Sequence, residues 1–183
     1  MRTTRQNEIE TLTETILKDS NQFLKAPVDI IKIAKENNII VVESEFEDTS
    51  ISGMISKKAN QAMIVVNKKD NSKRKRFTIA HELGHYFLHL EVGEEHVDEV
   101  IMFRGAKKKV ASEDKTMERE ANAFAAAILM NKETLVNELR ELVVGAGMNS
   151  ISEIIEYIAV KFQVSEEAMK YRLNEIGLLN KNE

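Results

Sequence analysis

The residues best suited to chemistry are His81-Glu82-Leu83-Gly84-His85, an H-E-x-x-H pattern inside a helix-periodic stretch. Four residues on an α-helix make slightly more than one turn, so both imidazoles project from one face and can meet a single zinc ion. Glu82 then points toward the flank of that ion, placed to take a proton from a bound water. Such a short pattern arises by chance in roughly one chain of this size per hundred. Here it falls among Phe77, Ala80, Leu83, Phe87 and Leu88, which can dock the helix on a sheet and reduce that risk.

Catalytic zinc with an open position asks for three protein ligands. His89 is nearest in sequence, but on a continuous helix it lies about 12 Å along the axis from His81, too far to share one ion, which leaves it a structural or outer role. Glu91 lacks the glycine turn that would bring it back, because position 88 is Leu. The next helix offers Glu118 and Glu120. At 100° per residue Glu118 shares a stripe with Ala121, Asn122, Ala125 and Leu129, whereas Glu120 falls on the other side with Ala123 and Ala127. Glu118 is therefore the expected third ligand, with an ordinary salt bridge as its alternative. Asn122, one turn on, is placed to orient a ligand from outside.

The elements that must position these residues are read from periodicity. Helical spacing covers 7–18, a second helix opens at Pro27 and stops at Asn37-Asn38, and β-branched runs mark strands at 39–42, around 52–55 and at 62–67. Those three strands suggest a small meander packed on helices. A long helix starts near Asn71 and carries the H-E-x-x-H; residues 91–115 read as an exposed loop. Helices follow from Thr116, over 132–144, 151–162 and 165–176, the last with Ser165 as N-cap.

Composition narrows the function. The chain has 183 residues, 43% of them hydrophobic and 31% charged, enough for one ordinary domain with a buried core. Cysteine is absent, which removes disulfides, thiolate zinc sites and cysteine nucleophiles. A net charge of −4 argues against nucleic acid as the main ligand, and no stretch is apolar enough for a membrane helix or leader. The cytoplasm is the expected location. The basic run Lys68–Arg76 reads as a solvated face, with steering of an acidic partner as its alternative. The terminal helix pair has a helix-turn-helix outline, but Glu166, Glu167 and Glu175 on its second helix suit packing or partner docking better than a DNA groove.

Arg76-Phe77-Thr78-Ile79-Ala80-His81-Glu82-Leu83-Gly84-His85-Tyr86-Phe87-Leu88-His89, followed by Glu118-Arg119-Glu120-Ala121-Asn122-Ala123-Phe124-Ala125, resembles the ImmA/IrrE family of bacterial and phage metallopeptidases over residues 25–135. The resemblance implies an α+β fold, a minimal gluzincin-like zincin core with a small three-stranded sheet packed on helices. The N-terminal helix would occupy 1–24, the core 25–135 and a C-terminal helical region 136–183. It implies Zn²⁺ held by His81, His85 and Glu118, with Glu82 as general base, in an endopeptidase that cuts a helix-turn-helix repressor of a mobile element or stress response. One departure is visible: the family often follows its second motif with proline after Met130, where this chain has Asn131.

Zinc would polarise the scissile carbonyl while Glu82 accepts the water's proton. Strand 62–67 is expected to be an edge that pairs with substrate backbone. Tyr86, His96 and Arg104 are candidates for stabilising the oxyanion. The alternative is a non-catalytic regulator that binds a transcription factor or DNA through the same fold.

Overall fold

The computed structural model describes residues 3–48, 50–58, 61–90, 100–104, 112–148 and 150–179, with backbone alone for 100–104 and 112–114. The fold is α+β. Helix α1, Thr4–Asp19, opens with a capping box in which Thr3 and Gln6 satisfy each other's backbone N–H groups. Helix α2 spans Ile30–Glu36, and Asp29 caps it by accepting from Lys32 N. It therefore starts three residues beyond Pro27, where the sequence places it.

Strands β1 (Ile39–Ser44), β2 (Gly53–Lys58) and β3 (Gln61–Asn67) match the three β-branched runs. A fourth, β4 (Val100–Arg104), lies in the stretch read as loop and extends the sheet to the order β1-β3-β2-β4. The strands do not form a meander: β3 inserts between the other two, parallel to β1 and antiparallel to β2. The reason lies in their composition. In β3, Ala62, Ile64, Val65 and Val66 are buried and fill a central position, while β1 ends in exposed Glu43 and Ser44 at an edge. Consequently 62–67 is an interior strand and cannot take up a substrate as an edge.

Helix α3, Ser72–His85, begins at the Asn71 cap and passes directly into a π-helical turn, Tyr86–Leu90. Its residues from Thr78 to His85 are all buried, because the helix is enclosed between the sheet on one side and α4 (Ser112–Leu129) on the other. Two glycines permit that enclosure. A Cβ on Gly53 of β2 would sit 2.4 Å from Thr78 Cγ2, and one on Gly84 would sit 2.9 Å from the Ala121 Cα and 3.1 Å from Phe124 Cβ. Three of the six basic residues leading into α3 meet acids, Lys69 with Glu45, Arg74 with Asp70 and Lys75 with Glu43, and Arg76 donates to the Val28 carbonyl. Lys68, Lys69, Lys73 and Arg74 are exposed, while Lys75 and Arg76 are partly buried.

Helix α5 (Lys132–Arg140) starts at Asn131, whose Oδ1 accepts from the N–H groups of Glu133 and Thr134. The residue that departs from the family pattern is thus a helix cap. Helices α6 (Ile151–Phe162) and α7 (Glu166–Glu175) follow, with Ser165 capping α7 and Gln163 in the left-handed region at φ 55°. Arg172 of α7 is fully buried. It donates to both carboxylate oxygens of Glu10 on α1, to Glu175 and to the Met130 carbonyl at the end of α4, joining three helices. Among the described residues no helix is long and apolar enough to cross a membrane.

Two outcomes are expected from this packing. Gly84→Ala forces α3 and α4 apart and should cost about 1–3 kcal/mol in chemical denaturation, the usual range for overpacking. Arg172→Met strands Glu10 and Glu175 in a poorly solvated position and should cost roughly 3 kcal/mol or more by the same measurement.

Candidate metal centre

Helical spacing alone sets the first half of the site. His81 and His85 lie one turn apart on the buried face of α3, and their Nε2 atoms approach to 3.1 Å. The second half comes from α4, which the Gly84–Ala121 contact holds against α3. Glu118 Oε1 stands 3.1 Å from His85 Nε2, and its Oε2 stands 3.4 Å from His81 Nε2. One donor atom from each of the three residues lies within 4.8 Å of the other two. His81 Nδ1 is 3.1 Å from Asn122 Oδ1. An amide oxygen can only accept, so the proton of a neutral His81 sits on Nδ1 and the Nε2 lone pair faces the other donors.

This donor set fits a divalent ion. Two imidazole nitrogens and a carboxylate converge on one point, and a tetrahedral zinc ion with bonds of about 2.0–2.1 Å would separate two such nitrogens by about 3.3 Å, close to what is found. His81 and His85 are buried, whereas the Glu118 side chain is 39% exposed, so one side of the point is open to a further ligand. Burial works against ionisation of Glu118. The hydrogen bonds and nearby charge of His81 and His85 outweigh it, holding its carboxyl far below the usual carboxylate range.

Glu82 is 1% exposed. Its Oε1 would lie 3.8 Å from a Cβ on Gly53, so the bare backbone of β2 forms one wall of its surroundings. Glu120 points away from the centre and pairs with Arg5 of α1 at 2.8 Å, as its place on the helix wheel implies. His89 is not in the donor group: its Nε2 is 3.3 Å from the Met117 carbonyl. Burial and the neighbouring His85 pull its pKa below the ordinary imidazole value against the opposing effect of that hydrogen bond. Tyr86 sits in the π turn with Lys57 Nζ 5.4 Å from its ring centroid, while His96 and the side chain of Arg104 lie outside the described residues.

Sequence reasoning missed the part played by Gly53 and the bridge from His89 to α4. A glycine inside a strand signals close approach of another element, so Gly53 was detectable in principle. The π turn that aims His89 at Met117 has no comparable sequence mark.

The IrrE N-terminal-like domain family of peptidases matches residues 34–174. Metallopeptidase ImmA of Bacillus subtilis (strain 168) is 26% identical over 149 residues, which cover 81% of this chain and 77% of that relative. With a match that runs from the end of α2 through nearly all of α7, and a three-donor cluster inside it, the chain belongs to the IrrE N-terminal-like family of metallopeptidases.

Proposed function

We propose that this protein is a zinc-dependent endopeptidase of the H-E-x-x-H type, with His81, His85 and Glu118 as metal ligands and Glu82 as general base. The observation that carries this reading is the convergence of one donor from each of those three residues within 4.8 Å, beside a buried glutamate. A divalent ion held there supplies a Lewis acid, which polarises a peptide carbonyl and makes water acidic enough to lose a proton near neutral pH.

The protein's own groups do the rest. Asn122 keeps His81 in the tautomer that presents Nε2. Glu82 takes the proton that the attacking water gives up and passes it to the nitrogen of the departing peptide. At 1% exposure, Glu82 keeps that proton away from bulk water between the two transfers. Among the described residues β4 pairs with β2 alone, and its Arg104 lies opposite Gly53 in the register, so the outer edge of β4 is the strand edge nearest Glu82.

We infer a helix-turn-helix repressor as the substrate, which the family resemblance of the two motifs supports. The test is to incubate the protein with candidate helix-turn-helix repressors and to read the products by mass spectrometry. A single new pair of termini is expected with wild-type enzyme and none with Glu82→Gln. Equal effects of wild type and Glu82→Gln on the repressor would sink the peptidase reading in favour of binding alone.

Two further outcomes are expected. Glu82→Gln should lower the rate by about 10²–10⁴-fold while zinc content, measured by elemental analysis, stays stoichiometric. Chelation should abolish cleavage and added zinc should restore it, whereas Glu118→Gln should fail to retain zinc through gel filtration at concentrations where the wild type does.

A further inference from the structure

Outside the donor set, one side chain connects the two helices that carry it. His89 lies in the π turn Tyr86–Leu90, four residues beyond His85, with its ring centroid 5.5 Å from that of His85. Its Nε2 is 3.3 Å from the carbonyl oxygen of Met117, the residue immediately before Glu118. A carbonyl only accepts, so Nε2–H is the donor. One turn of helix further on, Arg5 of α1 meets Glu120 of α4 at 2.8 Å.

A carboxylate ligand on a half-exposed side chain has several rotamers, and its contribution to an ion's affinity depends on how firmly its backbone is placed relative to the other donors. His81 and His85 are fixed relative to each other by one helix. Glu118 belongs to another, 33 residues on, and the chain between His89 and Met117 is too long to set its position. The tie from His89 to Met117 closes that gap across space.

We propose that His89 is a positioning residue of the metal centre: its Nε2–H, by holding the Met117 carbonyl, sets the distance between the turn that bears Glu118 and the His81–His85 pair. The proposal rests on the metal-centre reading above. It requires a donor at position 89, whereas a packing role requires only volume.

The experiment compares wild type, His89→Leu and His89→Gln for zinc affinity, by competition with a chromophoric chelator. Visible absorption of the cobalt(II)-loaded proteins reports coordination geometry, and the thermal midpoint of the metal-free proteins reports packing. His89→Leu is expected to lose about tenfold or more in zinc affinity and to shift the cobalt spectrum, and His89→Gln, which keeps an N–H donor, to stay within about threefold of wild type. If His89→Leu does not fold, His89→Phe, which keeps a ring without a donor, carries the same expectation. A donor-free variant with wild-type zinc affinity and spectrum overturns the proposal. So does equal loss by the donor-free and glutamine variants, which marks position 89 as packing alone. A wild-type protein that binds neither metal overturns the metal-centre reading first, and this inference with it.

Discussion

Everything at the centre depends on how closely two helices pass. The histidines are placed by the pitch of α3, but the carboxylate must come from α4, and Glu118 reaches the histidine pair where Gly84 presents no side chain to Ala121. The opposite side of α3 is held in the same way, with Gly53 admitting Thr78 to the surface of β2. An active helix enclosed on both sides has no solvated face left in its second half. That is why His81, Glu82 and His85 are buried despite their polarity.

Such burial is costly unless charge is balanced. With neutral imidazoles, the Glu118 carboxylate brings a negative charge against two buried histidines, and Arg5 of α1 is engaged with Glu120. A divalent cation held by His81, His85 and Glu118 would balance that charge. Protons on the imidazoles and the ion compete for the same nitrogen lone pairs, so metal occupancy and protonation are two states of one cluster. His85 and His81 stand 3.1 and 3.4 Å from the Glu118 carboxylate oxygens, contacts that keep the three donors gathered.

Much of this was legible because local periodicity carries it. The spacing of His81 and His85, the inward stripe of Glu118 and Asn122, the helix start near Asn71 and the cap at Ser165 all follow from the repeat of a single helix or from one turn's chemistry. What periodicity does not carry is pairing between distant segments. The apolar run Val100-Ile101-Met102-Phe103 is short and flanked by charged and glycine-containing stretches, and it becomes a strand only through its ladder with β2, more than forty residues earlier. The order of the strands is likewise a contest for the central position, decided by burial of both faces of β3. Asp29 rather than Pro27 starts α2, because a side-chain acceptor for Lys32 N defines the first turn more strongly than a fixed φ does.

Helix α1, which precedes the family match, bears on the centre as well. The match begins at residue 34, after α1, yet Arg5 and Glu10 of α1 both act on the helix that supplies Glu118. Arg5 grips Glu120 near the metal end of α4. Glu10 reaches the far end through Arg172, which itself holds the Met130 carbonyl. Helix α4 is therefore tied to α1 at two points along its length, one of them completed by α7. Two ties along the second half of α4 oppose its sliding past α1, which supports the Gly84–Ala121 contact that brings Glu118 to the histidines. The N- and C-terminal helices thus act on the chemistry without contributing a ligand, by removing the freedom of the one helix whose displacement would undo the site.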